Sequence, residues 1–462
     1  MVTVHPMEDT TGLVRNPAMG WALYIEPGGK LPDAADYWHR VDPYVKFASI
    51  LYLRLPWSIM EPEEGKYAWQ SNPNYRQLIQ GARDRGLQLA FRVVTNSRDS
   101  GVSNSPRFVR DAGAGGYMEQ GQQKQPLWTP SVMDPIFRAK LEAFVSAFAK
   151  EYDDPQRVAF IDGGGLGWWG EMHHLRIPPQ GHAELYNWIC GVYSRHFHHV
   201  LLGMQLHSEL SDGGVLDDSI ALGRYGYVAR MDSLGGFWLN QDARAELKRL
   251  YPATPFYGES CYFGLRAWDK WKNGPEKYTQ PVQVLRATMK DALDCHANTL
   301  DLRGPGDAKT WAEEAPDLVE EFIRKGGYRF VPTEIQYASA LDQRRGLVVA
   351  QQWKNVGVGV FPNDNMRWNH KYKVAFALLD AGGKVAAVAV DPQTEPARWT
   401  AAPSQSKPVA LRFDHTVPAG PFTLGLAIVD TTAANAPAIQ LAVTGLKKLN
   451  GWYVLGSVEV EP

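Results

Sequence analysis

Eight short apolar runs, rich in β-branched and aromatic residues, alternate with stretches of helical periodicity through the first 330 residues, and this pattern constrains the fold more than any other feature. The runs are 20–25, 47–54, 87–94, 158–162, 199–205, 227–232, 255–259 and 297–302. Helical segments are expected at 75–85, 183–197, 243–250, 282–293 and 311–324, and the clearest begins at Asp134, an N-cap residue followed by Pro135. Its residues Phe137, Leu141, Phe144, Val145 and Phe148 form one stripe, and Asp153-Asp154-Pro155 stops it before the fourth run. Strands alternating with helices in this number fit a (β/α)8 TIM barrel of the α/β class better than an open doubly wound sheet. No G-x-G-x-x-G opens a helix after the first run, and the Gly-rich stretch 162–170 lacks a P-loop lysine.

After Gly326-Gly327 the texture changes to period-two alternation, as in Tyr372, Val374, Phe376, Leu378 and in Phe422, Leu424, Leu426, Ile428. This predicts a C-terminal antiparallel β-sandwich, with 1–330 as the barrel and 331–462 as the second domain. The stretch 392–408, rich in Pro, Thr, Ser and Gln, is expected to be a long loop inside the sandwich.

Composition excludes several classes of function. With 48 Lys+Arg against 50 Asp+Glu and a formal charge of −2, the chain has no electrostatic footprint for nucleic acid or an anionic membrane. No apolar run reaches the ~18–20 residues of a membrane helix. The opening MVTVHPMEDTTG has neither a basic n-region nor an apolar h-region, so export needs a leader outside this sequence and a cytoplasmic location is expected without one. Cys190, Cys261 and Cys295 are odd in number and widely spaced, which argues against a disulfide framework. Neighbouring His173 and His174, with His207, do not make a recognised metal spacing, so no metal and no cofactor are expected.

In a barrel, chemistry sits at the C-terminal ends of the strands. Polar residues crowd those positions: Arg54 and Trp57 after the second run, Arg92 and Asn96 at the third, Glu171 and His173 after the fourth and His207 after the fifth. Asp232 closes the sixth, Glu259 the seventh, and Asp301 with Arg303 the eighth. Glu171 and Glu259 each follow a glycine within aromatic sequence, surroundings that can raise one carboxyl by desolvation while hydrogen bonds keep the other ionised. Acetal hydrolysis needs that division of labour. Of the 16 tryptophans, Trp57, Trp168, Trp169 and Trp238 fall near strand ends, where an indole can stack on a pyranose face. Trp353, Trp368, Trp399 and Trp452 fall in the sandwich, as core or domain-contact residues.

A barrel with one acid after strand four and a second carboxylate at the end of strand seven resembles the clan A glycoside hydrolases. The segment Leu53-Arg54-Leu55-Pro56-Trp57-Ser58-Ile59-Met60-Glu61-Pro62-Glu63-Glu64-Gly65 is similar to the second-strand signature of β-galactosidase-like members of that clan. The opening Asn16-Pro17-Ala18-Met19-Gly20-Trp21 and the sandwich tail also look similar to a little-characterised bacterial barrel-plus-sandwich family assumed to act on carbohydrate. The resemblance implies a glycosidase that cleaves an O-glycosidic bond, with Glu171 as acid/base and Glu259 as nucleophile. Arg54, Trp57, Arg92, Trp168, Trp169, His173, His207, Asp232, Trp238 and Asp301 are the expected substrate contacts. Clan members usually carry Asn directly before the acid/base, and here that position is Gly170. Retaining and inverting hydrolysis both stay open on this basis, as does a non-catalytic glycan-binding barrel.

Overall fold

The computed structural model describes residues 1–462 apart from 27, 28, 263–271, 273 and 406. Two compact units divide the chain: Pro17–Phe322, and Met1–Asn16 together with Ile323–Pro462. The expected boundary at 330/331 did not anticipate that the first 16 residues join the second unit. Their strand Val2–Val4 pairs antiparallel with a strand more than three hundred residues later, Val2 opposite Tyr337, a partnership that local periodicity does not encode.

The first unit is a closed barrel of eight parallel strands. They are β1 Gly20–Ile25, β2 Ala48–Pro56, β3 Gln88–Val94, β4 Val158–Asp162, β5 Leu201–Gln205, β6 Val228–Leu234, β7 Phe256–Ser260 and β8 Ala297–Arg303. Each of the eight apolar runs in the sequence forms one of them. β8 pairs with β1 through Thr299 opposite Gly20 and Leu300 opposite Trp21, and this closes the ring. Crossover helices cover it. The Pro135–Tyr152 helix starts where Asp134 Oδ1 accepts from the Ile136 and Phe137 amides, and it buries Phe137, Leu141, Phe144, Val145 and Phe148. The helix expected at 311–324 is two helices, Pro305–Glu314 and Pro316–Lys325. Pro316 disfavours helical backbone at the residue before it, and Ala315 leaves the helix at φ −147°. Among the described residues, no helix is long and apolar enough to cross a membrane.

The second unit is a β-sandwich of two mainly antiparallel sheets. One joins Val2–Val4, β9 Phe330–Tyr337, β10 Leu347–Asn355 and Ser404–Gln405. The other runs Ala340–Leu341, β14 Trp452–Val460, β13 Gly420–Asp430, β11 Tyr372–Leu379 and β12 Val385–Val390. Alternate residues of β11 and β13 pack Ala375, Ala377, Leu379, Ala427 and Val429 against Trp452. Trp353 stacks on Trp399 at 4.5 Å, and all four sandwich tryptophans are buried. The stretch expected as one loop at 392–408 carries a 3-10 turn at Pro396–Arg398 and the short strand Ser404–Gln405.

Candidate active site

Residues two apart on a strand share a face, so the last two inward positions of each barrel strand stack in layers. An aromatic layer lies below. Tyr24 meets Tyr52 edge-on at 4.8 Å, Tyr52 meets Phe160 at 5.5 Å, and Phe160 stacks on Tyr257 at 4.3 Å. Two residues further along the same strands come Glu26, Arg54, Asp162 and Glu259, joined by Arg92, Gln205, Arg230, Asp232, Asp301 and Arg303 from the others. β5 gives way where this layer needs room: a Cβ on Gly203 would lie 2.9 Å from Asp162 Oδ1.

Four guanidiniums bind these acids together. Glu259 Oε1 accepts from Arg54 Nη1 at 2.7 Å and Arg303 Nη1 at 2.8 Å, while Arg230 Nη2 closes on its Oε2. Glu171 Oε1 accepts from Arg92 Nη1 at 2.6 Å and Arg54 Nη2 at 3.1 Å, with Arg230 Nη1 at 3.7 Å. Beneath them Asp162 Oδ2 takes Arg92 Nε at 2.8 Å, Arg230 Nε at 3.1 Å and the Tyr52 hydroxyl. Arg303 also grips Glu26 at 3.0 Å. A single guanidinium, Arg54, therefore bridges Glu171 and Glu259, which are separated by 88 residues in sequence.

Charge sets the protonation of this layer. Burial pushes the Glu171 carboxyl up, but the charges of Arg92, Arg54 and Arg230 outweigh it and hold the group well below the usual carboxylate range. Each close guanidinium is worth about 4 kcal/mol at an effective dielectric of ~20, so several together overcome the desolvation. Asp232 moves the other way: burial and the Glu171 charge raise its carboxyl. Asp301 is also raised by burial, against the pull of Arg303. The sequence reading expected aromatic surroundings to raise one of Glu171 and Glu259. Glu171 is not raised, because Arg92 and Arg54 reach it, while Asp232 beside it is.

Glu171 sits on a tightly folded loop after β4. Its carbonyl accepts from Ser208 Oγ at 2.9 Å, and non-glycine residues Trp169, Met172 and His174 take φ of 56°, 62° and 53°, conformations that occur where surrounding structure holds a loop in place. Gly170 has φ 74°, and a Cβ there would lie 3.0 Å from Arg92 Cδ. The Asn usual in the clan would be strained and crowded at this position, since Arg92 fills the space beside it.

The remaining expected contacts divide. Trp168 is half-buried, with Arg98 4.5 Å above its ring and His174 at 3.9 Å. Trp169 and Trp238 are exposed at 40% and 55%. Trp238 lies against Phe237 at 3.8 Å, and the Trp169 N–H donates to Asp99 at 3.2 Å. His173 is half-buried beside Glu171 and Asp232, its Nδ1 taking the Glu209 amide at 3.2 Å. Four expectations are corrected. Trp57 is fully buried among Phe108, Phe137 and Phe144 with its N–H on Glu61 at 2.9 Å, so it presents no face to a ligand. His207 turns away to Glu246 at 2.9 Å and lines a separate cavity of about 500 Å³ with Asp218, Leu216 and Leu222. Asp301 is buried and accepts from the Ser260 amide and hydroxyl at 2.7 and 2.8 Å. Arg92, fully buried, holds Glu171 and Asp162 rather than a ligand.

Arg230, Asp162, Gln205 and Tyr52 were missed by sequence reasoning. The available signal was the two-residue step: Arg230 precedes Asp232 by two and Tyr52 precedes Arg54 by two, on the same inward face.

One atom each from Glu171, His173 and Asp232 lies within 4.8 Å of the others. The donor set does not suit a cation, because Glu171 Oε1 already takes two guanidiniums and a metal there would face both charges. The cluster is consistent with a catalytic site.

No protein-family model matches the chain, and no curated protein matches it. Among solved structures it is similar to the exo-β-1,4-mannosidase Op5Man5 from Opitutaceae bacterium strain TAV5, at 15% identity and TM-score 0.40 over 68% of this chain and 57% of that one. It is also similar to β-galactosidase from the psychrophilic Marinomonas ef1, at 10% identity and TM-score 0.41 over 65% and 62%. A third is endo-glycoceramidase II from Rhodococcus sp., at 12% identity and TM-score 0.42 over 76% and 90%. The chain thus spans less than two thirds of the length of the mannosidase and of the galactosidase.

Proposed function

We propose that this chain is a retaining glycoside hydrolase in which Glu259 attacks the anomeric carbon and Glu171 passes a proton to the leaving oxygen. The observation that carries this reading is the Arg54 bridge, 2.7 Å to Glu259 and 3.1 Å to Glu171, at the C-terminal mouth of the barrel. Two carboxylates on one planar guanidinium fit the short separation of about 5–5.5 Å used for double displacement better than the ~6.5–9.5 Å that accommodates a water. When Glu259 forms its ester it loses its charge, and Arg54 and Arg230, which also reach Glu171, are released to steady the charge left on the acid side. Exposed Trp169 and Trp238 supply flat faces for a pyranose.

Time-resolved NMR of anomeric protons, with wild type and Glu259→Gln on pooled oligosaccharides and aryl glycosides, tests this. Retention in the first-formed sugar and no turnover by a folded Glu259→Gln protein are the expected results. Inversion would remove the nucleophile role. A second reading, a glycan-binding barrel without turnover, is favoured by the guanidiniums that already occupy both Glu171 and Glu259. Calorimetric binding of a glycan that never yields new reducing ends would establish that reading in place of the first.

A further inference from the structure

We propose that Glu171 and Asp232 share one proton between their carboxyl groups, stored on Asp232, and that this is the proton delivered to the leaving oxygen. The storage stands on the geometry alone, and its catalytic use rests on the glycoside-hydrolase reading.

A carboxylate oxygen of Glu171 and one of Asp232 lie within 4.8 Å of each other, and two carboxyl groups that close in a buried site cannot both ionise without a large cost. Their surroundings decide which keeps the proton. Glu171 turns Oε1 to the positive groups Arg92 and Arg54, with Arg230 at 3.7 Å. Asp232 turns Oδ1 to neutral donors, Gln205 Nε2 at 2.9 Å and Ser233 Oγ at 3.2 Å. Gln205 cannot flip, because its Oε1 accepts from Arg230 Nη1 at 2.6 Å, so its amide N–H group stays on Asp232 Oδ1. This leaves Asp232 Oδ2 to carry the hydrogen toward Glu171. Among the described residues, Glu171, His173 and Arg230 are the charged groups that act most on Asp232. The upward displacement of the Asp232 carboxyl by burial and by the Glu171 charge agrees with this arrangement.

The step balances within the site. The Asp232 Oδ2–H bond breaks as its proton passes to Glu171, and the Glu171 proton passes to the glycosidic oxygen. The C–O bond then breaks, its electron pair stays on the leaving alcohol, and Glu259 bonds to the anomeric carbon. Water later attacks that carbon, the ester bond to Glu259 breaks, and the water proton returns through Glu171 to Asp232. Asp232 acts through Glu171 and is a positioning and proton-holding residue.

Infrared difference spectroscopy over a pH titration of the full chain tests the storage without any substrate. Wild type is expected to show protonated-carboxyl C=O absorbance that persists above the pH range of ordinary carboxylates, with one component retained in Glu259→Gln and missing in Asp232→Asn, whereas a component from the raised Asp301 carboxyl stays in both. Asn can keep the Gln205 and Ser233 contacts through its carbonyl oxygen, and near-ultraviolet circular dichroism checks its fold. Glu171→Gln is the second variant, and it should move the titration of the Asp232 component down because the neighbouring negative charge is gone. Absorbance unchanged in Asp232→Asn, or absent from wild type, overturns the proposal whether or not the chain turns over a glycoside. With an active substrate, Asp232→Asn should lower kcat roughly 10²-fold for poor leaving groups and far less for activated aryl ones, with the high-pH limb of the rate profile shifted. The Asp232 component in wild type without turnover of any substrate retains the shared proton and overturns the glycosidase reading. Equal rates in Asp232→Asn and wild type across leaving groups overturn the catalytic use.

Discussion

The barrel mouth and the sandwich interior are built on the same two-residue alternation and filled in opposite ways. In the sandwich, the inward positions of β11 and β13 carry Ala375, Ala377, Leu379, Ala427 and Val429, and burying a side chain such as Leu379 is worth about 1.5–3 kcal/mol. At the mouth the equivalent positions of β6, β7 and β8 carry Arg230 and Asp232, Glu259, Asp301 and Arg303. Buried ion pairs often stabilise less than apolar side chains of the same volume, since desolvation offsets most of the attraction. Stability alone therefore accounts for the sandwich core and not for the mouth. Polar burial in the sandwich follows a different rule as well. Asp391 accepts from Gln351 and Thr394, and Asp430 meets Lys371 at 3.1 Å, so those acids face neutral or positive partners. At the mouth, Asp232 meets another acid.

Four substitutions sharpen or break this contrast. Glu259→Gln should reduce turnover by roughly 10⁴-fold or more at unchanged fold, read from kcat and thermal unfolding together; a variant that stays active would make the mouth as structural as the sandwich. Arg92→Met removes the fully buried partner of Glu171 and Asp162 and should cost about 3–5 kcal/mol at neutral pH by denaturant unfolding. Its pH dependence carries a sign. Because the folded-state Glu171 carboxyl is lowered, its stabilisation is full above the unfolded value of about 4.3 and is lost as pH falls toward the folded value. The gap between wild type and Arg92→Met should therefore narrow in acid, and a gap independent of pH would refute the electrostatic account. Asp232 has the opposite sign: its raised carboxyl contributes stability below the unfolded value, lost as pH rises through the folded one.

Leu379→Ala should cost about 2–5 kcal/mol and leave kcat at the mouth unchanged, since it empties a packed position among Ala377, Val429 and Trp452. The smallest change in stability is expected for Trp238→Ala, within about 0.5 kcal/mol, because the ring is 55% exposed. Its effect should appear in the KM for longer saccharides. A large stability loss there would mean that the ring packs as Trp57 does.

Much of this architecture was legible in the sequence. Runs at 20–25 and 158–162 match β1 and β4 to the residue, and Asp134 caps its helix as its position before Pro135 implies. Trp311, Leu318 and Phe322 keep an apolar rhythm across Pro316, while the backbone before a proline does not follow it, so the segment at 311–324 is two helices. Trp57 shows the same limit on the site side. Nearness to a strand end in sequence does not say whether a ring turns into the helix layer or toward solvent, and Phe137 and Phe144 draw it inward.

The sequence by itself determined the order of strands and helices, the switch from crossover to antiparallel texture after residue 326, and the crowding of acids and arginines at strand ends, because these depend on local periods of two and 3.6 residues. Only the tertiary structure decided that Arg54 joins Glu171 to Glu259, that Arg92 helps to lower the Glu171 carboxyl while the Asp232 carboxyl is raised, and that Val2 pairs with Tyr337. Closure of the barrel brings residues hundreds of positions apart within 3 Å, and charge interactions depend on that distance and on burial, neither of which a linear pattern contains.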